Sequence, residues 1–452
     1  MITRLEATRY RCFERLGIDV GEFRVLVGAN GSGKTTLLDL PGLFGDLLNS
    51  KNVADAFLAS RRDHGDQPPR ATSLSELVFA GRGNDFSLAV EAKLPEEVQA
   101  KVVEGRVTRS RSEKVRAAIR EARDRWPTHI RYEVGLNISQ RHELQVTSEY
   151  LFMFPQSMAP DRLQPGFQGV HVAGNRDWQL ILKREQRFQA EYVPEGPLGA
   201  SRARRTKAEL PQTLLSLPRV MFESELEHPA ARWLHGLLTS NAVFLEPNWA
   251  AMRSASPPGQ SKTIAAHGRN VPWLAMALKR EGAVESSSPE YRSERFTDWV
   301  SHVQTALPQI SDIDVHERED DHHAYFVVNY RGGFKVPSSG LSDGTLRILT
   351  LTLLPYLSNP PAILVTEEPE NGIHPRAIEA VLQSLSSMYD SQVWVSSHSP
   401  VVLARAKLDQ LVCARVSSEG GVEMVPGREH PRLLEWKGGI DLGSLFAAGV
   451  LG

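Results

Sequence analysis

The stretch Gly28-Ala29-Asn30-Gly31-Ser32-Gly33-Lys34-Thr35 decides the fold of this chain. It completes the pattern G-x-x-x-x-G-K-[ST], in which the backbone N–H groups of a glycine-rich turn surround a phosphate. The apolar run at residues 23–27 precedes the turn, and a helical pattern begins at Thr35. Because a helix N-terminus favours anions, this strand–turn–helix order predicts a nucleoside triphosphate site in an α/β core.

The residues of this loop have separate expected roles. The glycines permit close approach of the backbone to the phosphates, Lys34 is expected to reach the β- and γ-phosphates, and the Thr35 hydroxyl is expected to bind Mg²⁺. Lys34 is therefore also counted among the catalytic residues. The loop residues predicted to bind ATP are Gly28, Asn30, Gly31, Ser32, Gly33, Lys34, Thr35 and Thr36.

A pair of adjacent carboxylates follows an apolar run much later in the chain. Residues 362–365 read as a buried parallel strand, which ends in Thr366-Glu367-Glu368-Pro369. Ligands gather at the carboxyl ends of such strands. Glu367 is predicted to hold Mg²⁺, directly or through water, and Glu368 is predicted to polarise the attacking water. The alternative is an acidic loop start on a solvated surface.

Two further motifs flank this strand. Ser342 is a natural N-cap for the apolar helix that follows it, and Ser342 and Gly344 are also predicted to contact a γ-phosphate. His398 follows the next apolar strand, where a γ-phosphate sensor would be needed. The alternatives are an ordinary capped core helix and a structural histidine.

Composition limits the classes of partner. The chain has 452 residues with a net charge of −2, so a nucleic acid would have to bind a local basic patch. The candidate patches are residues 101–125 and 202–207. The alternative for residues 101–125 is a surface helix whose basic residues are balanced by its own acidic residues, and the alternative for residues 202–207 is a solvated loop. The cysteines, Cys12 and Cys413, stand far apart, and no stretch is apolar enough to span a membrane. We therefore expect a cytoplasmic protein without a membrane partner.

These motifs, in this order, resemble those of ATP-binding-cassette (ABC) ATPases. The gap of roughly 300 residues between Thr35 and Leu341 resembles the RecF and structural-maintenance-of-chromosomes (SMC) branch. Residues 367–375 are similar to the small RecF/OLD-like, AAA-family ATPases of bacterial genome-maintenance and phage-defence systems. The resemblance implies ATP and Mg²⁺ as cofactors and two heads that sandwich two ATP molecules. Ser342 and Gly344 of one copy would then complete the phosphate-loop site of the other.

The resemblance also implies an α/β fold: an ABC-ATPase head with a P-loop, RecA-like core, an N-terminal antiparallel β subdomain and a large inserted α-helical or mixed lobe. The expected division is residues 1–155 for the N-terminal half of the head, with a basic helical insertion near 96–126, residues 156–335 for the inserted lobe, and residues 336–452 for the C-terminal half.

Pro41 is expected to bend or end the helix after the phosphate loop. The Q-loop glutamine has one weak candidate, Gln140.

The function expected from this resemblance is an ATP-hydrolysing switch that forms a homodimer or higher oligomer through its nucleotide sites. Only about 50 residues follow His398, too few for the nuclease domain of OLD-type proteins. We therefore expect a separate effector, a nuclease or toxin, regulated by this chain in anti-phage defence. The alternative is a RecF-like, DNA-binding ATPase of DNA repair or recombination; a transporter subunit is disfavoured by the long gap.

Overall fold

The computed structural model describes residues 1–60, 68–110, 112–175, 177–185, 189–195, 205–222, 227–284, 288, 291–417, 420–434 and 441–449. Within these residues the strands fall into three sheets. The strands are β1 Ile2–Tyr10, β2 Phe13–Asp19, β3 Phe23–Val27, β4 Asp85–Lys93, β5 His129–Ile138, β6 Leu144–Phe154, β7 Gln179–Glu185, β8 Gln189–Tyr192, β9 Thr206–Glu209, β10 Ala242–Leu245, β11 Ile310–Glu317, β12 Ala324–Tyr330, β13 Lys335–Pro337, β14 Ile363–Glu367, β15 Gln392–Ser396, β16 Leu411–Val416 and β17 Val422–Pro426.

Helices cover both faces of the central sheet and connect its strands. The α-helices are α1 Lys34–Asn49, α2 Asp55–Leu58, α3 Glu96–Arg109, α4 Glu113–Glu121, α5 Pro229–Ser240, α6 Trp249–Met252, α7 Val271–Lys279, α8 Glu294–Ala306, α9 Asp343–Leu353, α10 Pro375–Ser386, α11 Pro400–Arg405 and α12 Leu442–Ala447. Short 3₁₀ turns fill several of the connections, among them Ser338–Gly340 directly before the loop that leads into α9.

The central sheet joins the two ends of the chain. Its strand order is β10-β14-β15-β3-β16-β17, parallel throughout except for the last pair. The strand before the phosphate loop therefore lies directly beside a strand near the C-terminus, with Val25 opposite Val395. Alternate residues of these strands belong to two different hydrophobic clusters, one on each face, as expected for a buried parallel sheet.

Helix α1 begins at Lys34, directly after the phosphate loop, and packs on one face of the central sheet. Pro41 was expected to bend or end this helix; it does not end it, because the helix continues to Asn49. Leu43, Phe44 and Leu47 beyond the proline are fully buried. Their packing outweighs the local cost of a proline in a helix interior, which is about 3 kcal/mol.

The second sheet is antiparallel and covers the other side of α1, with strand order β2-β1-β4-β5-β6-β7-β8-β9. It crosses the predicted boundary between residues 155 and 156, because β7 to β9 extend the same sheet as the N-terminal strands. Strand β10, from the same predicted lobe, joins the central sheet beside β14. The remaining strands of the predicted lobe, β11 and β12, form a hairpin that β13 extends.

The candidate basic patch at residues 202–207 ends in a strand and not wholly in a loop. Thr206–Glu209 form β9, which pairs with β8 at the sheet edge, and Arg205 forms an ion pair with Glu191 at 2.9 Å. Residues 202–204 lie outside the described residues. Among the helices that the structure describes, none is both long and apolar enough to cross a lipid bilayer.

A buried cluster of charges fixes the antiparallel sheet. Arg131 is fully buried, and its guanidinium donates to Glu6 at 2.7 Å, Glu91 at 2.8 Å and Glu133 at 2.5 Å. A fourth hydrogen bond reaches the Gly166 carbonyl at 2.8 Å, so the loop that carries Gly166 is held against the sheet. Buried charges of this kind persist only when each has its partners.

Candidate nucleotide site

The carboxyl ends of β3, β10, β14 and β15 converge on one open cavity of about 620 Å³. Its size suits a nucleotide, and its position at strand ends is the usual one for ligands of parallel sheets. Both halves of the predicted site contribute to it. The lining residues are Cys12, Asn30, Gly31, Ser32, Gly33, Lys34, Thr35, Thr36, Leu245, Glu246, Pro247, Trp249, Arg347, Leu351, Thr366, Glu367, Glu368, Pro369, Asn371, Ser396 and His398.

The phosphate loop has a backbone that its glycines make possible. Gly28 and Gly33 have φ values of 150° and 80°, which side-chain-bearing residues rarely adopt. A Cβ atom at Gly28 would lie 2.5 Å from the Ala414 carbonyl oxygen, and one at Gly33 would lie 2.8 Å from the Cys12 sulfur. The loop also holds a buried Ser32 hydroxyl that has no hydrogen-bond partner among the described residues. A polar atom left in this state at the cavity wall fits a phosphate ligand.

Lys34 lies across the phosphate loop. Its ammonium group donates to the carbonyl oxygens of Gly28 at 2.9 Å and Ala29 at 2.8 Å, and the side chain is only 7% exposed. Burial lowers the pKa of Lys34, while the negative charges of Glu367 and Glu368 act in the opposite direction. The cation is therefore held at the edge of the cavity, where a phosphate would meet it.

Thr35 and Glu367, predicted separately as the Mg²⁺ ligands, are in direct contact. The Thr35 hydroxyl donates to Glu367 Oε1 at 2.5 Å across 332 positions of sequence. Burial raises the pKa of Glu367, and the nearby carboxylates of Glu246 and Glu368 add to this. A divalent cation at this place would relieve the repulsion, and hydroxyl and carboxylate oxygens are the ligands that Mg²⁺ prefers. The residues present therefore fit the predicted metal.

Glu368 has a strained backbone that aims its carboxylate into the cavity. Its φ of 43° lies in the left-handed region, and its N–H donates to the Ser396 carbonyl at 3.0 Å. Asn371 Nδ2 donates to Glu368 Oε2 at 3.0 Å, which fixes one carboxylate oxygen. Strain of this kind in a non-glycine residue is concentrated at functional sites. The other oxygen, Oε1, lies 3.8 Å from His398 Nε2.

His398 follows β15 by two residues and lines the same cavity as Lys34. Burial and the positive charge of Lys34 lower the pKa of His398, whereas Glu368 acts in the opposite direction. The imidazole is therefore mainly neutral at physiological pH. A neutral ring can donate one hydrogen bond and accept another, which suits a sensor of a phosphate or of a water molecule.

The signature residues Ser342 and Gly344 do not line this cavity. Ser342 is the N-cap of α9, as predicted, and its hydroxyl accepts from the Thr345 N–H at 3.2 Å. A Cβ atom at Gly344 would lie 2.7 Å from the Gly372 carbonyl oxygen, so the residue is required to be small. Ser342 is exposed at the helix end.

Among the side chains of the cavity wall that sequence reasoning missed are Glu246, Trp249, Arg347 and Asn371. Leu245, the last residue of β10, lies opposite Thr366, so Glu246, directly after β10, corresponds in register to Glu367, the last residue of β14. The signal was present, because residues 242–247 read Ala-Val-Phe-Leu-Glu-Pro and repeat the apolar–acid–proline pattern of residues 362–369. Gln140, the weak Q-loop candidate, lies instead in the turn between β5 and β6.

Arg347 belongs to the same helix as the signature residues but faces the cavity. Its guanidinium carbon lies 4.6 Å from the centre of the Trp249 ring, an arrangement that stabilises the cation. Burial lowers the pKa of Arg347, and its Nε atom is buried with no hydrogen-bond partner among the described residues. A second cation therefore stands in the cavity wall, in addition to Lys34.

Residues 284–404 match a family model described as "AAA domain, putative AbiEii toxin, Type IV TA system". Comparison with curated proteins gives no match. The chain is similar to a solved SMC head bound to the C-winged helix domain of ScpA (12% identity, 94% of this chain and 97% of that chain, TM-score 0.48). It is also similar to an SMC head from Thermotoga maritima (10% identity, 94% of this chain and 98% of that chain, TM-score 0.40).

The resemblance to ABC-type ATPases is confirmed at the level of the fold. The matched family segment holds the helix that follows Ser342, both carboxylates and His398. The strand that precedes the phosphate loop lies in the same parallel sheet as the strands of that segment. This match and this topology agree with the fold that the resemblance implies, in which the phosphate loop and the carboxylates lie at one parallel sheet.

Proposed function

We propose that this chain hydrolyses ATP with Mg²⁺ and uses the reaction as a conformational switch. The observation that carries the proposal is the contact between Thr35 and Glu367, which joins two motifs from opposite ends of the chain at one cavity wall. A phosphate loop alone is a binding motif. With a carboxylate pair beside it, the site also has a group that can accept a proton from water.

The side chains divide the work as follows. Lys34 and the loop N–H groups bind the phosphates, and Thr35 and Glu367 hold Mg²⁺, which neutralises phosphate charge when bound. Glu368, fixed by Asn371, orients a water molecule and accepts its proton. His398, held neutral by its surroundings, supplies a hydrogen bond on the same side of the cavity.

A second copy of the chain completes the site in this proposal. Ser342 is exposed at the N-terminus of α9 and belongs to no wall of its own cavity. A hydroxyl and a helix N-terminus that face outward are suited to a phosphate held by a neighbouring molecule. The nucleotide would then hold two copies together, and its hydrolysis would release them.

The biological role that we propose is regulation of a separate effector, a nuclease or toxin, in bacterial anti-phage defence. The description of the matched family, which names a toxin of a Type IV toxin–antitoxin system, supports this context. The alternative, a RecF-like DNA-binding role, is supported less well by the basic segment 101–125. Several of its arginines are engaged: Arg106 donates to Gln179 at 2.8 Å, and Arg116 and Arg120 form ion pairs with Glu113 and Glu104.

The test of the proposed reaction is release of phosphate from ATP by the purified full chain, measured with and without Mg²⁺. We expect hydrolysis that requires the metal and is lost in Lys34→Ala, together with ATP binding. The matched control is Lys51→Ala, which removes an exposed lysine after the same helix. Hydrolysis that is equal in wild type and Lys34→Ala would overturn the proposal.

A further inference from the structure

A second open cavity, of about 650 Å³, lies beside the signature loop. It is separate from the nucleotide cavity, with which it shares no lining residue. The side chains that give it its character are Arg253, Arg269, Arg318, His323, Ser338 and Ser339. Three guanidinium groups and an imidazole therefore surround one space, together with serine hydroxyls that can donate hydrogen bonds.

The positive charge of this cavity is only partly compensated. Arg253 forms an ion pair with Asp343 at 2.7 Å, and Arg318 forms one with Asp321 at 2.6 Å. Arg269 is exposed and forms no ion pair with any residue that the structure describes. Three arginines thus face two carboxylates, and an excess of positive charge remains in an open cavity of ligand size.

Two elements connect this cavity to the nucleotide site. The short helix α6 has Trp249 at its start in the nucleotide cavity, and Arg253, directly after its end, lines the second cavity. Helix α9 has Asp343 at its start, in contact with Arg253, and Arg347 one turn later in the nucleotide cavity. Trp249 and Arg347 contact each other, which closes the connection.

Arg253 is the residue through which a ligand would act. Besides its ion pair, its Nε atom donates to the Leu341 carbonyl at 3.1 Å, so this one side chain holds the loop that presents Ser342. An anion in the cavity would compete with Asp343 for the same guanidinium. Binding would therefore change the contacts of the signature loop.

We propose that this cavity binds a phosphate-bearing ligand, either a nucleotide or the backbone of a nucleic acid, and that its occupancy changes the affinity of the nucleotide site for ATP. Arginine forks match the paired oxygens of phosphate in both of these sources. Only the effect on ATP affinity rests on the proposed function, since binding of the ligand itself needs no hydrolysis. A ligand bound in this cavity would regulate the proposed switch separately from ATP.

The test measures binding of three probes, pyrophosphate, AMP and a short single-stranded DNA, to the full chain that carries Lys34→Ala. This background prevents the phosphate loop from binding them. We expect at least one probe to bind, and its affinity to fall about tenfold or more when Arg269→Ala and Arg318→Ala are added. Both arginines are exposed, so the fold should tolerate their removal. The matched control is Arg280→Ala, an exposed arginine outside the cavity, which should leave the affinity unchanged.

The outcomes separate the possible sources and the two proposals. Binding of AMP or pyrophosphate identifies a soluble ligand, and binding of DNA alone identifies a nucleic-acid backbone. No binding, or binding that is indifferent to Arg269 and Arg318, overturns the second site. With Lys34 intact, the bound probe should change the dissociation constant of ATP severalfold, and this change should be lost in Arg269→Ala/Arg318→Ala. An unchanged constant, or a change that persists in the double variant and so reflects competition at the phosphate loop, overturns the coupling. A chain that binds the probe but never hydrolyses ATP overturns the proposed function and leaves the anion site standing.

Discussion

Replacing Glu368 by glutamine should separate ATP binding from ATP hydrolysis. Glutamine has the same shape, and its side-chain oxygen can still accept the 3.0 Å hydrogen bond from Asn371. The strained backbone at φ 43° is also kept, since glutamine and glutamate have similar backbone preferences. The substitution therefore removes one negative charge and one proton acceptor, and leaves the cavity wall in place.

The magnitude follows from the role assigned to this carboxylate. A positioned general base accelerates proton transfer by roughly 10²–10⁴-fold, which corresponds to about 3–5 kcal/mol of activation free energy. We expect kcat for ATP hydrolysis to fall by that factor in Glu368→Gln, while the dissociation constant for ATP changes by less than about threefold. Unhydrolysed ATP should also keep two copies together.

The assay combines phosphate release with light scattering during size exclusion, each with and without ATP and Mg²⁺. The control is Glu379→Gln, which neutralises a side chain that is 61% exposed in α10 and pairs with Arg405 on the surface. It should change neither measurement, because exposed ion pairs contribute little. Normal turnover by Glu368→Gln would remove Glu368 from the role of the base, and a monomer that binds ATP tightly would refute assembly through the nucleotide.

The remaining predictions concern assembly, pH and stability. If Ser342 acts on the neighbouring copy, Lys34→Ala and Ser342→Arg should each be inactive alone, but a mixture of the two should recover hydrolysis. Half of the dimers would be mixed, and each mixed dimer would have one intact site, so we expect up to about one quarter of wild-type activity. No recovery would contradict a shared site. The raised pKa of Glu367 means that this carboxylate takes up a proton at higher pH than an ordinary glutamate. The Mg²⁺ affinity measured by titration should therefore fall as the pH decreases through that raised pKa, and a flat profile down to ordinary glutamate values would refute the assignment. Arg131→Met should lower the free energy of unfolding by about 3–5 kcal/mol in urea titrations, because three buried glutamates lose the cation that they share. The partly exposed Arg116→Met should cost less than about 1 kcal/mol.

The local parts of this protein can be predicted from its amino-acid sequence alone. The phosphate loop, the carboxylate strand and the Ser342 N-cap each depend on residues that are close in sequence, and the structure has all of them. Glycine at a left-handed position, serine before a helix and an apolar run before a charged turn act locally. These local parts can therefore be recognised without knowledge of the rest of the chain.

Which of these parts contact one another depends on the tertiary fold. The pairing of β3 with β15, and the insertion of β10 beside β14, join segments that no local pattern connects. Burial of Leu43 and Phe44 kept α1 continuous through Pro41 against its local preference. The contacts of Trp249 with Arg347 and of Arg253 with Asp343 depend on which cavity each of these α9 residues faces. The physical reason is that hydrophobic burial and charge pairing act between surfaces brought together by folding, while sequence patterns report only on the neighbours along the chain.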